Sequence, residues 1–385
     1  MHKAERVPPG AVSLEARFLV IVPALARWYR RSHRRLPWRE SKDPYAIWIS
    51  EIMLQQTQVS TVLPYFERFM ERFPSLEILA DAQLDDVLRL WQGLGYYRRA
   101  HLMIPAAKAV LELGEWPRLP EALAKLPGVG RSTAGAIASF AWGAKAPILD
   151  GNVRRVWYRL GALNFPSPSA GERTLWSLSE AAVRHGDAAT VNQALMELGA
   201  TICVPKKPEC GICPLAKHCA AFACGEQGAF PPARPNSPKP IHDVSVALIF
   251  KGDEFLVTRR PDEGLLGGLW ELPGGKWEQG ETGLQALHRE LGEELGIRVH
   301  VQRDYPAIRH SYTHFGVRLH PFLCALDGRR RPRSALSMRW IRREDIAALA
   351  FPKGTLKIFD VVWTEEARRA AESPGTWDGM PFPHP

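Results

Sequence analysis

The stretch Leu126–Ser132 reads LPGVGRS and lies between two segments whose apolar residues recur at helical spacing. Gly128 and Gly130 permit a tight turn, and the helix that follows offers unpaired backbone N–H groups and the positive end of its dipole to a phosphate. The pattern predicts a helix-hairpin-helix in which Gly128, Val129 and Gly130 contact a nucleic-acid backbone without reading its bases. An ordinary helical hairpin is the alternative, because short glycine patterns recur by chance.

Helical spacing extends over most of the front half of the chain. It predicts helices over residues 44–59, 84–90, 119–126, 131–142 and 153–160, and a buried helix near the start over 18–26. Strand-like alternation is scarce in this half. The sequence therefore predicts an all-α domain around the hairpin.

A proline-rich stretch follows that domain. Five prolines fall between Gly225 and Ile241, and proline neither continues a helix nor suits a central strand, so an extended linker is expected. Beyond it, β-rich runs over 244–250 and 254–259 are separated by Lys251–Asp253, which is a hairpin signal. The back half is predicted to mix α and β structure.

Chain length supports the same division, because 385 residues exceed the roughly 250–300 at which a single core stops growing. We predict a multidomain chain in four parts. These are an all-α domain over 1–225, a linker over 226–240, an α+β domain over 241–365 and a tail over 366–385.

Charge is distributed unevenly along the chain. The net charge is +9, and residues 1–225 hold 28 Lys and Arg against 20 Asp and Glu, which is +8 of that total. This asymmetry indicates that the front half binds a polyanion, although a merely soluble basic surface has the same total. The longest early apolar run, 18–26, is interrupted by Pro23, so we predict neither a signal peptide nor a membrane span.

Cysteine usage is concentrated in one short segment. Four of the six cysteines lie within 17 residues, at Cys203, Cys210, Cys213 and Cys219. Four soft thiolates at this spacing favour an iron–sulfur cluster. A tetrahedral zinc site is the structural alternative.

An aspartate lies directly before a predicted helix in Leu149–Arg155 (LDGNVRR). A carboxylate at a helix N-terminus is kept ionised by the dipole and by backbone donors, so Asp150 can stabilise positive charge, although simple N-capping is a common alternative. The hairpin, this aspartate and the cysteine spacing together resemble the endonuclease III superfamily of DNA glycosylases. The resemblance implies that Asp150 faces the sugar of a flipped nucleotide and that the four cysteines hold a [4Fe–4S] cluster.

The stretch Trp48–Val59 (WISEIMLQQTQV) resembles the signature helix of one branch, the MutY family, which removes adenine mispaired with 8-oxoguanine. The resemblance implies that Glu51 is the acid that protonates the leaving adenine while Asp150 stays charged. Glu51 must then hold a proton near neutral pH, which burial in an apolar pocket allows. A surface glutamate on an amphipathic helix is the alternative.

Further residues match family positions close to the mispaired bases. Gln56 and Tyr96, the latter in WQGLGYYR over 91–98, match positions that enter the base stack, although either can simply pack in a core. The other base-pocket candidates are Arg39, Leu54, Thr57, Ser132, Asn152 and Glu197. Ser132 stands where bifunctional relatives place a lysine, and a hydroxyl cannot form a Schiff base, so we predict hydrolysis without strand cleavage. Lyase activity is the alternative.

The back half carries a Nudix box over Gly275–Ile297, and the resemblance implies an 8-oxoguanine-recognition domain of Nudix type. Arg309–Phe315 (RHSYTHF) resembles the family's recognition loop, with Tyr312, Thr313 and His314 where Phe-Ser-His is usual. Glu290, Glu293 and Glu294 share one face of a helix predicted over 282–295 and can bind Mg²⁺, although a solvated acidic face has the same pattern.

These patterns predict a MutY-type adenine glycosylase of base excision repair. We expect it to be a cytoplasmic, nucleoid-associated monomer with a [4Fe–4S] cluster that acts on duplex DNA with adenine opposite 8-oxoguanine or guanine. The competing classes are a Nudix nucleotide diphosphatase tethered to a DNA-binding module and a non-catalytic lesion-binding protein. Glu51 together with Asp150 argues against the last, whereas the intact Nudix box keeps diphosphatase activity as an addition.

Overall fold

The computed structural model describes residues 14–232, 238–312, 315–328 and 330–372. The chain divides into two compact units. The first unit comprises Met1–Asp81 and Leu102–Pro235, and the second comprises Ala82–His101 and Asn236–Pro385. The second unit thus includes a segment from the front half of the chain, and the predicted domain boundaries remain predictions.

The described part of the front half is helical, which confirms the all-α prediction. Its helices are α1 (Phe18–Ser32), α2 (Pro37–Glu40), α3 (Pro44–Leu54), α4 (Val59–Arg72), α5 (Leu76–Ala80), α6 (Leu84–Trp91), α7 (Arg98–Glu112), α8 (Pro120–Leu123), α9 (Arg131–Trp142), α10 (Gly151–Gly161), α11 (Pro168–Arg184), α12 (Ala188–Thr201) and α13 (Ala220–Ala223). Short 3₁₀ turns occupy Cys210–Ile212, Ala216–His218 and Gln227–Ala229. No helix in the described ranges is long and apolar enough to cross a membrane.

Two predicted helices differ from the observed ones. The helix predicted over 44–59 ends at Leu54, and a new helix begins at Val59. Gln56 between them has a φ of 58°, in the left-handed region, which ends a right-handed helix. The helix predicted over 119–126 covers only Pro120–Leu123 before the hairpin turn begins. Periodicity continued through both breaks, so the sequence pattern did not reveal them.

The core of the first unit forms where α1 packs with α10, α11 and α12. Phe18 and Trp157 are fully buried there, with ring centroids 5.6 Å apart. Burying such a side chain contributes roughly 1.5–3 kcal/mol, and this packing fixes the start of α10. The helix predicted over 18–26 is confirmed as a helix, but it is only half buried because Leu19 and Val20 face outward.

The second unit contains a mixed sheet, which confirms the α+β prediction. The strands are β1 (Ile241–Lys251), β2 (Glu254–Arg259), β3 (Trp270–Glu271), β4 (Gly274–Lys276), β5 (Val299–Asp304), β6 (Ile308–Ser311), β7 (Gly316–Leu326) and β8 (Met338–Ile341). The strand order is β3-β2-β1-β7-β5, with β4 paired to β1, β6 to β7 and β8 to β2. β1 and β2 form the predicted hairpin, and β1 runs parallel to β7.

Two helices cover the faces of this sheet. α14 (Gly283–Leu295) packs Leu287 and Leu291 against Ala247 of β1, and α15 (Lys353–Glu372) packs Phe359 against Leu248. Adjacent strand residues point to opposite faces, so β1 serves two hydrophobic cores at once. A 3₁₀ segment, Arg343–Ala348, lies between β8 and α15.

We predict that Gly128→Ala destabilises the protein by roughly 1–3 kcal/mol, because the residue is held in a conformation that L side chains rarely adopt. Its φ is +75°, and an added Cβ would lie 3.0 Å from the Cβ of Leu102. The matched control is Gly130→Ser, since a Cβ at Gly130 meets nothing within 4 Å and serine is a good N-cap for α9. Chemical denaturation measures both variants, and equal midpoints would contradict the prediction.

Candidate active site

Glu51 lies on α3, a helix that is buried along most of its length. Asp43 caps the helix, since its carboxylate accepts hydrogen bonds from the backbone N–H groups of Tyr45 at 3.0 Å and Ala46 at 3.3 Å. Trp48 and Ile52 are almost completely buried. The fixed helix therefore holds Glu51 in a partly buried position between buried neighbours, rather than on a freely exposed surface.

The environment of Glu51 favours its protonated form. Burial, with a smaller contribution from the charge of Asp150, raises the pKa of Glu51 to about 8, although the charge of Arg39 opposes the rise. A carboxyl group in this environment keeps its proton at neutral pH and can donate it.

Asp150 has a different environment although it is also enclosed. It is the N-cap of α10, and its carboxylate accepts from the backbone N–H of Val153 at 2.7 Å and from Nδ2 of Asn152 at 3.1 Å. Burial raises the pKa of Asp150, and these donors together with Arg155 oppose the rise. These donors favour the charged form of Asp150, although burial still leaves its pKa above the ordinary value.

The residues just before Asp150 are held by two polar side chains. Ser132 Oγ accepts from the backbone N–H of Leu149 at 3.2 Å. Asn192 accepts from the N–H of Ile148 at 3.2 Å and donates to the carbonyl of Ala146 at 2.8 Å. Sequence analysis did not assign a role to Asn192. The available signal was its position on the apolar face of α12, three residues before the buried Leu195.

A buried ion pair lies beside this pocket. Glu197 is 1% exposed, and its carboxylate accepts from Nε and Nη2 of Arg34 and from Nη2 of Arg39, each at 2.7 Å. Burial alone would raise the pKa of Glu197, but these hydrogen bonds lower it to about 2. Glu197 therefore fixes Arg39, whose charge reaches Glu51. Sequence analysis missed Arg34, and base contact by Arg39 or Glu197 remains a prediction.

The turn after α3 presents the first wedge candidate. Gln56 is exposed, while Leu54 and Thr57 are partly exposed. Gln55 Nε2 donates to Thr133 Oγ1 at 3.2 Å, which ties this turn to α9. Within the helix-hairpin-helix, Gly128 and Gly130 are exposed and Val129 is buried, so the backbone of the turn is accessible.

The four cysteines of the 203–219 segment line one cavity with apolar neighbours such as Leu160 and Leu198. No three of them, nor any other three His, Cys, Asp or Glu side chains in the described residues, form a site for a single metal ion. Four thiolates that line one apolar cavity are the donor set that an iron–sulfur cluster would take. The donor set therefore fits a [4Fe–4S] cluster better than zinc.

Two arginines of α10 hold the cysteine segment. Arg159 is 3% exposed and donates to the carbonyls of Val204 at 2.7 Å and Pro205 at 3.0 Å, and to Cys203 Sγ at 3.4 Å. Arg155 donates to the carbonyl of Cys203 at 2.7 Å and to Asn152 Oδ1 at 2.8 Å.

Because Asn152 in turn donates to Asp150, a continuous hydrogen-bonded path connects the cluster segment to the charged carboxylate. Sequence analysis assigned no role to either arginine of α10. It did identify Asn152, which lies at the centre of this path.

The second unit contains the other predicted recognition residues. Tyr96 is 37% exposed and lies in the segment Ala82–His101. Tyr312 is partly buried, its ring lies tilted against that of Phe315 with centroids 5.1 Å apart, and its N–H donates to the carbonyl of Phe315 at 2.8 Å. Thr313 and His314 lie outside the described residues.

The carboxylates of the Nudix box bind an arginine. Arg289 donates to Glu281 at 2.7 Å, Glu290 at 3.0 Å and Glu293 at 3.3 Å. Burial raises the pKa of Glu294 to about 7. These side chains form no group in the described residues that could hold a metal ion, so the Mg²⁺ prediction has no geometric support.

We predict that Glu51→Gln makes the protein more stable at high pH. The folded protein keeps a proton on Glu51 up to about pH 8, whereas the unfolded chain releases it near pH 4.5. Stability of the wild type therefore falls as pH rises through this window, and the amide removes that loss. The denaturation midpoint of the variant should exceed that of the wild type above pH 8 and approach it near pH 4.5. Glu67→Gln on the exposed face of α4 is the control, and a difference independent of pH would refute the prediction.

Comparisons with known proteins match three stretches of the chain. Residues 49–181 match the HhH-GPD superfamily of base excision DNA repair proteins, residues 203–219 match the iron-sulfur binding domain of endonuclease III, and residues 245–361 match the NUDIX domain.

Curated relatives span most of the chain. Adenine DNA glycosylase of Homo sapiens is 34% identical over 400 residues, which cover 88% of this chain and 73% of the relative. Adenine DNA glycosylase of Buchnera aphidicola subsp. Acyrthosiphon pisum is 35% identical over 304 residues, covering 78% of this chain and 85% of the relative. A solved thermostable thymine-DNA glycosylase covers 56% of this chain and 99% of its own at 30% identity, with a TM-score of 0.49.

The matched family models and relatives thus cover three features of one chain: the paired carboxyl groups, the cysteine cavity and the mixed sheet of the second unit. The chain belongs to the MutY-type adenine DNA glycosylases, hydrolases of base excision repair with a [4Fe–4S] cluster and a C-terminal Nudix-like domain.

Proposed function

We propose that this glycosylase removes adenine from mispairs with 8-oxoguanine or guanine in duplex DNA, and that it does so by hydrolysis without cutting the strand. One observation carries the proposal. The pocket holds two carboxyl groups in unlike environments: the pKa of Glu51 is raised to about 8, and Asp150 accepts two hydrogen bonds. Such a pair supplies a proton and a negative charge together.

The chemistry follows from that division of roles. Adenine leaves poorly as an anion, so Glu51 donates its proton to a ring nitrogen as the bond from C1′ to N9 breaks, and neutral adenine departs with the bonding electrons. The Asp150 carboxylate stabilises the positive charge that develops on the deoxyribose. Water then adds to C1′ and gives one proton back to Glu51. The products are adenine and an abasic site.

The cluster has a structural role in this scheme. Bound to the four thiolates, it holds a loop that carries Lys206, Lys207 and Lys217, whose charges attract DNA phosphates. Arg155 and Arg159 fix the same segment from within the protein. Hydrolysis needs no electron transfer, and each reacting proton resides on a carboxyl group or on water.

Separate residues are assigned to recognition of the mispair. We assign Gln56 and Tyr96 as wedges that enter the base stack, which offsets the few kcal/mol that unstacking costs. Both side chains are exposed, as a wedge requires. The loop that holds Tyr312, Thr313 and His314 is assigned to 8-oxoguanine.

We predict that Glu51→Gln and Asp150→Asn retain duplex binding and lose excision by roughly 10²–10⁴-fold, the range typical of a lost acid–base group. Single-turnover assays with adenine opposite 8-oxoguanine, guanine and thymine measure released base, and a gel-shift assay measures binding. The wild-type rate should fall tenfold per pH unit above about pH 8, as Glu51 loses its proton.

The control is again Glu67→Gln, which should excise normally. Near-normal excision by Glu51→Gln would show that the acid is misassigned. Equal rates on all three duplexes would instead reject the proposed mispair preference.

We predict that the wild type leaves strands that break only after alkali treatment, and that borohydride traps little covalent complex. Ser132→Lys should increase trapping, because it supplies an amine that can form a Schiff base. Ser132→Ala is the matched control, since it also removes the acceptor for Leu149 N–H but adds no amine. Efficient strand cleavage by the wild type before alkali would favour the bifunctional alternative.

A further inference from the structure

The segment that carries Tyr96 contains a tightly held turn between α6 and α7. Gly93, Gly95 and Tyr96 have φ values of 99°, 76° and 49°, all in the left-handed region. Glycine adopts this region freely, but tyrosine does so only where its surroundings impose it. Tyr96 is nevertheless exposed, so the restraint must come from the residues behind it.

Arg99 supplies contacts that can impose this conformation. It is 8% exposed, and Nη2 donates to the carbonyl of Gly95 at 3.0 Å, with a weaker bond from Nε to the carbonyl of Tyr96 at 3.4 Å. Its guanidinium also lies near two rings, 5.1 Å from the centroid of Trp91 and 5.5 Å from that of Tyr96. One planar cation therefore contacts both the backbone of the turn and the ring that the turn displays.

Neighbouring groups reinforce the same turn. Trp91 is fully buried, and its Nε1 donates to the carbonyl of Gly95 at 3.0 Å, so that oxygen accepts from two side chains. The hydroxyl of Tyr97 accepts from the N–H of Gly93 at 3.1 Å. These hydrogen bonds to the carbonyl of Gly95 and the N–H of Gly93 thus stabilise one backbone conformation of the turn.

The ends of the segment are also fixed within the second unit. Asp85 pairs with Arg259 at 3.3 Å, and His101 Nε2 donates to the carbonyl of Gly267 at 2.9 Å. These two contacts therefore hold the ends of the segment against residues of the second unit. The position of Tyr96 between those ends depends on the contacts around Arg99.

We infer that Arg99 is a positioning residue for the Tyr96 wedge: it holds the ring in the orientation that enters the base stack before DNA is bound. This inference rests on the proposed wedge role of Tyr96. Direct binding of a DNA phosphate is a poor alternative for Arg99, because its side chain is almost fully enclosed and its donors face backbone carbonyls. Lysine cannot reproduce this role, since it lacks the planar fork that reaches a carbonyl while stacking on a ring.

The test is a double-mutant cycle that joins Arg99→Met with Tyr96→Ala in the full-length protein. The probe is a duplex in which 2-aminopurine lies beside 8-oxoguanine, and 2′-fluoro-2′-deoxyadenosine lies opposite the 8-oxoguanine. The fluorinated nucleotide resists excision, so the fluorescence of 2-aminopurine reports base unstacking alone. A second duplex with ordinary adenine reports the single-turnover rate. Arg98→Met is the matched control, because it removes an equal charge from the adjacent exposed position.

We expect Arg99→Met to reduce both the fluorescence rise and the excision rate by about tenfold, as misplacement of a positioned group does, while Arg98→Met keeps the fluorescence rise. Arg99→Lys should recover only part of the loss. In the Tyr96→Ala background, Arg99→Met should cause no further change. Circular dichroism and titration of active sites normalise every rate to folded enzyme.

Equal losses from Arg99→Met with and without Tyr96 would overturn the inference, and so would an unchanged fluorescence rise in Arg99→Met. If Arg99→Met does not fold, Arg99→Lys completes the same cycle with the same criteria. An unchanged fluorescence rise in Tyr96→Ala alone would reject the wedge assignment itself, which separates failure of the proposed function from failure of this inference.

Discussion

The pocket that Glu51 and Asp150 share is the constraint on which the proposed active site depends, because the proposed reaction requires a proton on Glu51 and a charge on Asp150. Two carboxyl groups that share a buried pocket cannot both be charged, so their donors decide which one keeps the proton. Asp150 has a backbone and a side-chain donor, whereas Glu51 lies on a helix buried along most of its length. The other features of the first unit preserve that asymmetry. Asn192 and Ser132 hold the approach to Asp150, and the pairing of Glu197 with Arg39 limits the positive charge that acts on Glu51.

The iron–sulfur segment belongs to the same framework although it does no chemistry on the sugar. Arg155 bonds to the carbonyl of Cys203 and to Asn152, and Asn152 bonds to Asp150. The position of Asn152, one of the donors to Asp150, is therefore linked to the position of the cysteine segment.

Several parts of the site are recognisable in the amino-acid sequence, because their residue types and spacing are set by local chemistry. The four cysteines, the glycines of the hairpin and the aspartate before α10 are of this kind. Other parts have no local signature. Nothing in the sequence around Gln56 indicates that the helix breaks there, since a left-handed glutamine gives no compositional signal. The sequence does not distinguish Arg34, Arg155 and Arg159 from the other arginines. Only the fold shows which carbonyls and carboxylates they contact.

Periodicity in the sequence determined the two-part architecture, because it is a property of adjacent residues. The resemblance of its motifs to a known family indicated the class of reaction and the pair of carboxyl groups. The tertiary structure decided which groups surround each carboxyl group, which arginines hold the cysteine segment and where the chain divides. It grouped Ala82–His101 with the second unit, although that segment lies well before the linker. Burial and hydrogen bonds between residues distant in sequence set pKa values and fix strained turns, and those contacts exist only once the chain has folded.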